Sequence, residues 1–521
     1  MSNFGLMKSA LLPIVATEQL LKRTTSRCPV CHAACPAEVW RAGSSPAKVF
    51  LRRTCPEHGE ASVCIASDAR FYWLARGNPG NARDGCGGGG ARVFSSRSSE
   101  CGSNGSPPAA PRANSCCSVD GSSVGTLGRN AGGRGDGPFE TLSTCLALIE
   151  IVNSCNLSCP TCYADSPLGS AHKVDAVPLA DLKRRIQGVV ERKGAIEILQ
   201  LSGGEPTLHP QFFELVEWVQ DNPGIDYILL NTNGLRIAHD DAFLAGLERS
   251  VGRGRFQLYL QFDGVQVQGQ QALRGADLRA TRLRAIERCR EIHLPITLAM
   301  TVTPANLPFL WATVEFGLQF PHIRGISFQP MFHSGRMAER VLRPASRVPG
   351  TDPPGSGWSA WFPQTPDARR ETRLNTADII LAAVEQSRGK LRFEDFTPLP
   401  CGDPNCATIG YLLKANGRTH SISDFVDFTR VQDFLRDKVR YRLEDLMKCG
   451  CESEPLGQLL KQFEMDESNT VRLFIKPFMD AWTWDQDRID RCCTHVIRPD
   501  GKLDSFCRYY SGFADTKLAP Y

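Results

Sequence analysis

Three cysteines of the 521-residue chain stand at a spacing that suits iron-sulfur chemistry. In the stretch Ile149-Glu150-Ile151-Val152-Asn153-Ser154-Cys155-Asn156-Leu157-Ser158-Cys159-Pro160-Thr161-Cys162-Tyr163, the thiols share one loop directly after an apolar, strand-like run. Three thiolates can hold three irons of a 4Fe-4S cluster and leave the fourth iron open for a ligand. A structural zinc site would instead close with a fourth protein ligand. Spacing alone does not choose between them.

The context does. Ser202-Gly203-Gly204-Glu205-Pro206, Asn231-Thr232-Asn233-Gly234 and Gln261-Phe262-Asp263-Gly264 each follow a strand-like run, at the end that carries active sites in βα barrels. Gly203 and Gly204 let the backbone approach an ammonium group, and Glu205 can offset its charge. Ser202, Asn231, Asn233, Gln261 and Asp263 offer polar side chains to hydroxyls or a carboxylate. Taken singly, the glycines read as turns and Asp263 as a helix N-cap. In this order after the cysteine loop, they read as one cofactor site. Cys289, on the apolar face of a helix, reads as a core residue.

Cys155-x3-Cys159-x2-Cys162 plus an aromatic, followed by Ser202 to Pro206, resembles the radical SAM superfamily. The resemblance implies that the open iron chelates the amino and carboxylate groups of S-adenosylmethionine and that one electron cleaves the sulfonium. The 5′-deoxyadenosyl radical then takes hydrogen from a substrate. By the same resemblance Tyr163 lies beside the adenine, and the electron comes from a donor such as flavodoxin or ferredoxin.

The chain holds 21 cysteines, too many for a reducing cytosol to keep as a disulfide framework, so metal ligation is the first alternative. Near the start, Cys28-x2-Cys31 and Cys55-x2-His58 make a tetrahedral zinc spacing, or a rubredoxin-like iron site if Cys35 or Cys64 replaces the histidine. Near the end, Cys401, Cys406, Cys449, Cys451, Cys492, Cys493 and Cys507, with His495, could hold one auxiliary 4Fe-4S cluster, or two with a non-cysteine ligand. A structural zinc site is the alternative there. Cys86, Cys101, Cys116 and Cys117 have no site spacing.

These flanks narrow the resemblance. Cys-Pro-x2-Cys with Cys-Pro-Glu-His-Gly, Thr-Cys-Leu-Ala-Leu-Ile-Glu before the cluster loop, Gln-Phe-Asp-Gly, Pro-Leu-Pro-Cys and a late Cys-Cys-x-His are similar to the group that includes archaeal tetraether lipid synthases. That similarity implies joining of lipid chain ends through unactivated methyl carbons, with extra clusters and a rubredoxin-like site. An older assignment for the group is methylation of a pterin precursor. Archaeal members carry a further compact cysteine motif upstream of the cluster loop, where this chain has Cys116-Cys117-Ser118-Val119-Asp120-Gly121.

The elements that must position these groups alternate. Strand-like runs at Leu146–Val152, Ile196–Leu201, Tyr227–Leu230, Gln257–Phe262, Ile296–Val302 and Ile326–Gln329 are separated by amphipathic stretches. This predicts an α/β fold with a parallel sheet, a partial (βα)6 barrel by the resemblance, though an open sheet fits the pattern equally. The expected units are a metal-binding domain at 20–76, a Gly- and Ser-rich linker at 77–140, the core barrel at 141–345, a loop and helix at 346–390, and a C-terminal auxiliary cluster domain at 391–521. Thr376 is expected to cap a helix over Ala377–Gln386.

With 60 Lys plus Arg against 56 Asp plus Glu, the net charge of +4 argues against a nucleic-acid footprint. No apolar run reaches 18 residues, which points to a cytoplasmic protein, with peripheral membrane association if the substrate is a lipid. Three functions compete: hydrogen abstraction from an unactivated carbon of a lipid, a radical peptide maturase or methyltransferase including pterin methylation, and an electron carrier or redox sensor. The strand-end motifs disfavour the last, because a carrier needs no nucleoside pocket.

Overall fold

Six strands alternate with helices through the middle of the chain: β5 (Leu146–Val152), β6 (Ile196–Gly203), β7 (Ile225–Thr232), β8 (Phe256–Gln261), β9 (Ile296–Val302) and β10 (Ile323–Pro330). They pair in parallel and in order. The computed structural model describes residues 18–74, 139, 142, 144–169, 174–337, 373–399, 402–415, 418–424 and 469–512. Helices such as Leu179–Lys193 and Phe212–Asp221 cover the outer face, burying Leu182, Ile186, Val189, Leu215 and Val219 against it.

Strand side chains alternate between faces. Leu199, Leu201, Leu230, Leu258, Leu260, Leu298 and Met300 point outward into the helix-covered core and are fully buried. Their neighbours Gln200, Leu229, Tyr259, Ala299 and Ser327 line an internal cavity instead. The molecule has the α/β fold with a parallel sheet that the alternation predicts, in the partial-barrel form that the resemblance implies.

The segment after residue 391 enters the same sheet at both edges. The strands here are β11 (Thr397–Pro398), β12 (Thr408–Ala415), β13 (Arg418–Ser421), β14 (Thr470–Ile475), β15 (Thr494–Ile497) and β16 (Leu503–Ser505). β14 lies parallel to β10, β15 lies parallel to β5, and β12 runs antiparallel to β14. In β14, Val471, Leu473 and Ile475 are buried in the core while Arg472 and Phe474 face the cavity. The helix at Thr376–Gln386 is capped one residue earlier than expected. Asn375 accepts from the Ala377 amide at 3.0 Å, and Asp378 returns the bond from the Asn375 amide at 2.8 Å, because this pairing satisfies two otherwise orphan amides.

A separate antiparallel sheet precedes the barrel: β1 (Gln19–Arg27), β2 (Ala34–Arg41), β3 (Val49–Cys55) and β4 (Gly59–Ala66). It is fixed to the C-terminal segment by a buried cation. Arg53 donates to the carbonyls of Arg27, Ala481 and Trp482. Lys22 adds an ion pair to Asp485 at 2.6 Å. Burial lowers the Arg53 pKa to about 10, so the guanidinium remains charged at neutral pH.

Replacing Arg53 by methionine strands those carbonyls, and unpaired buried acceptors cost about 1–3 kcal/mol each. Arg53→Met should therefore lose about 3 kcal/mol in urea unfolding. A loss below about 0.5 kcal/mol would show that the contact between the small sheet and the C-terminal segment does not hold the two together.

Candidate active site

The cysteine loop leaves β5 and is clamped from three sides. Gly204 donates its amide to Val152 O at 2.7 Å and Glu205 donates to Ser154 O at 3.0 Å, so the end of β6 abuts the loop. A Cβ on Gly203 would stand 2.1 Å from Val152 O, and one on Gly204 equally close to Ser154 O, so only glycine fits either position. From beyond β10, Arg336 exchanges both backbone hydrogen bonds with Cys162, and its side chain donates to Cys159 O and Ser166 O, each at 2.9 Å.

Glu205 is almost wholly buried, and its carboxylate gathers donors from two strand ends. Oε1 accepts from Thr207 Oγ1 at 2.7 Å and from Thr232 Oγ1 at 2.6 Å, and Oε2 accepts from the Asn233 amide at 2.8 Å. Burial raises its pKa despite those donors. Asn233 donates to Asn156 Oδ1 at 2.7 Å and approaches Cys155 Sγ, joining the β7 end to the cysteine loop. Asn231 donates to Ser202 Oγ and accepts from Gln200.

Tyr163 is packed edge-on against Tyr510 at 4.8 Å and lies 3.4 Å from Ser202 Oγ. Gln261 lines the cavity and accepts from Arg282 at 2.8 Å. Asp263 sits behind that wall, bound twice by Arg274 at 2.6 and 2.9 Å. Burial opposes its ionisation, but the Arg274 guanidinium outweighs it and holds the carboxyl below its ordinary range.

One cavity of about 310 Å³ connects these groups. Cys155, Cys159 and Cys162 stand at one end, with Tyr163, Ser202 to Glu205, Asn231, Asn233 and Gln261 around them. Burial raises the pKa of Cys155 to about 12, helped by the Glu205 charge, so binding a metal there releases a proton. The same cavity reaches Cys406 and Cys493.

The remaining cysteines fall into two geometries. Among the described residues, Cys28, Cys31, Cys55 and His58 bring their ligand atoms within 4.8 Å of one another, as a single tetrahedral ion requires. His58 bonds the Cys55 sulfur and, with nearby amides, lowers that thiol's pKa to about 6. Cys35 is buried beside Cys28 and Cys55. Cys64 lies on β4, where burial pushes its thiol up to about 12.

Neither Cys155, Cys159 and Cys162 nor the late cysteines make so tight a group among the described residues. A cluster, whose ligands sit on different irons, needs the wider arrangement. Cys406, Cys493 and Cys507 lie near enough to Cys492 that, after burial, their charges raise its pKa. Met479 donates its amide to Cys507 Sγ at 3.3 Å. His495 is not a free ligand, since one ring nitrogen pairs with Thr144 Oγ1 at 2.9 Å and the other with Cys492 O at 2.8 Å. Cys401, Cys449 and Cys451, like Cys86, Cys101, Cys116 and Cys117, lie outside the described residues.

Residues 149–315 match the Radical SAM superfamily. The chain carries a radical SAM domain. It is therefore a radical SAM enzyme that uses S-adenosylmethionine, and residues 20–67 match the HMPTM N-terminal zinc ribbon domain. Along 94% of its length this radical SAM chain is 23% identical to the 7,8-dihydro-6-hydroxymethylpterin dimethyltransferase of Methanocaldococcus jannaschii, of which it covers 93%. It is 29% identical to the GTP 3′,8-cyclase of Haemophilus ducreyi over 28% of this chain and 40% of that one. Among solved structures it is similar to Streptococcus suis SuiB bound to S-adenosylmethionine, with TM-score 0.30 and 16% identity over 36% of this chain and 40% of that one. No described helix is long and apolar enough to cross a membrane.

Sequence reasoning missed Arg274, Arg336 and the cavity face of β14. Arg336 acts on residues 170 and more positions away, and Arg274 reaches Asp263 across 11 positions whose spacing carries no motif. The strand β14 did have one: Val471, Leu473 and Ile475 alternate with polar or aromatic neighbours.

Removing Arg274 leaves Asp263 ionised with Arg282 3.6 Å away, and breaking a buried pair costs about 3–5 kcal/mol. Arg274→Met should show that loss at pH 7. Because the Asp263 pKa is depressed, the wild-type stabilisation is complete above about pH 4 and fades as pH falls below it. A wild-type-like acid unfolding profile in the variant would contradict this role. At the small sheet, Cys55→Ser should lose one equivalent of metal by elemental analysis, and retention of that metal would exclude the four-residue site.

Proposed function

We propose that Cys155, Cys159 and Cys162 hold the 4Fe-4S cluster and that the barrel cavity is the chamber in which a carbon substrate loses hydrogen. The observation that carries this reading is one cavity lined both by the three thiols and by the strand-end groups Ser202 to Glu205, Asn231, Asn233 and Gln261. These three thiolates would hold the cluster, which would supply one-electron reduction of bound S-adenosylmethionine for hydrogen abstraction.

In this reading the protein's own groups bind and orient. Ser202, Asn231 and Gln261 present polar atoms to the nucleoside, Tyr163 walls the adenine side, and Gly203 and Gly204 leave backbone surface open near the methionyl ammonium. Glu205, Asn233 and Asp263 hold the strand ends that carry these groups. Cys406, Cys492, Cys493 and Cys507 are the described candidates for an auxiliary cluster, and the quartet of Cys28, Cys31, Cys55 and His58 for zinc or a rubredoxin-like iron. A small one-electron donor such as flavodoxin or ferredoxin would supply the reducing equivalents.

For the substrate, radical methylation of a pterin-type heterocycle is the leading reading, because the similarity to the M. jannaschii dimethyltransferase runs along nearly the whole of both chains. A lipid substrate is the second reading, favoured by the apolar wall of Leu146, Leu148, Ile198, Leu229 and Phe474.

Anaerobic protein with dithionite and S-adenosylmethionine should form 5′-deoxyadenosine, and the Cys155, Cys159 and Cys162 triple alanine variant should lose at least 99% of that activity. Adding 6-hydroxymethyl-7,8-dihydropterin, free or as its phosphate ester, with further S-adenosylmethionine as methyl donor and dithionite as electron source, should then give a product heavier by one or two CH2 units, a methyl replacing each hydrogen lost. A mass change only in a lipid extract would reverse the order of the two readings, and no deoxyadenosine from the wild type would refute the reaction.

A further inference from the structure

Opposite the cysteine loop, the deep end of the cavity is lined near the starts of the strands by Ile198, Tyr227, Gln257, Thr297, Gly325 and Arg472. Most polar groups there are already engaged; Gln257, for example, donates to Thr297 Oγ1 at 2.6 Å. Arg472 differs. It is half-buried on β14, and among the described residues its guanidinium has no hydrogen-bond or ion-pair partner.

The charge around it is unbalanced. Glu205 is the one acidic side chain lining the cavity among the described residues, and its oxygens are taken by Thr207, Thr232 and Asn233. Arg274 is neutralised by Asp263. Lys476, four residues beyond Arg472 and on the same face of β14, donates to Thr494 Oγ1 at 2.9 Å. Among the described residues Arg472 is therefore left as an unpaired cation facing the chamber, open to an anion.

Space is reserved beside it. Gly325 on β10 pairs with Arg472, and a Cβ there would stand 3.1 Å from the Arg472 carbonyl oxygen and 3.3 Å from its Cβ. Any side chain at position 325 would enter the gap next to the arginine. The planar fork of a guanidinium suits a carboxylate or phosphate, which it can bind through two parallel hydrogen bonds.

We infer that Arg472 is the anchor for an oxyanion, carboxylate or phosphate, at the far end of the substrate. Lys476, just past the end of β14, lies about 13 Å farther along the strand direction than Arg472, so an occupant anchored at Arg472 extends toward the cysteine-loop end of the sheet. The inference rests on the cavity being the substrate chamber proposed above. It adds that the substrate enters as an anion, such as a phosphorylated or carboxylated derivative, whichever carbon skeleton it bears.

The test is calorimetric titration of the anaerobically reconstituted full-length protein, loaded with S-adenosylmethionine, using octanoate, octyl phosphate and octan-1-ol. At least one anion should bind ten times more tightly than the alcohol, and the stronger of the two identifies the headgroup. Arg472→Met and Arg472→Gln should abolish the preference, Arg472→Lys should restore part of it, and the exposed surface variant Arg249→Met should leave it intact. Unchanged S-adenosylmethionine binding in Arg472→Gln shows that the barrel has folded. Equal binding of alcohol and anions, no binding of any of the three, or a preference that survives in both neutral variants would each overturn the anchor. Binding needs no turnover, so failure here is distinguishable from failure to form deoxyadenosine.

Discussion

The buried carboxylate of Glu205 ties together the parts on which the site depends. Its oxygens take donors from Thr207, Thr232 and Asn233, while its own amide reaches the carbonyl of Ser154 in the cysteine loop. One side chain thus joins the ends of β6 and β7 to the loop that presents the three thiols. A carboxylate in so dry a place is stable only because each oxygen is met by a donor. The two glycines before it serve the same end, since any side chain at either position would push the loop away from the barrel rim.

Above that rim the structure is a division between two faces of one sheet. Outward residues are aliphatic and covered by helices; inward residues are a mixture of polar and small groups that leave a chamber unfilled. The C-terminal segment finishes the chamber, with β14 extending one edge and β15 the other. The same segment carries the Ala481 and Trp482 carbonyls that hold Arg53 and the Met479 amide that meets Cys507. The zinc ribbon, the late cysteines and the barrel are therefore mechanically linked through residues 479–485.

The cysteine groups differ in a way that their chemistry explains. Four donors to one ion must crowd together, as Cys28, Cys31, Cys55 and His58 do. The loop triad and the late cysteines do not form so crowded a group among the described residues. Buried, protonated thiols such as Cys155 and Cys507, whose pKa is raised to about 11, resist deprotonation until a metal offsets the charge.

Much of this was legible in the chain itself. The three-cysteine loop, the ribbon spacing, the strand-end motifs and the positions of all six barrel strands follow from local rules: ligand spacing, the two-residue period of strands and the longer period of helices. These signals survive in one dimension because each depends on residues close together in sequence. What only the tertiary structure decided depends on which atoms the folded chain brings together, at whatever separation in sequence. Asp263 proved to be held by Arg274, His495 proved to be occupied at both nitrogens, and Arg336 came from 170 residues away to clamp Cys159 and Ser166. Arg472 became a cavity residue only because β14 pairs with β10, across almost 150 positions of chain. Spacing can show which residues are able to bind a metal or a charge; which atoms they meet is set by strand pairing and packing, and no local pattern encodes that.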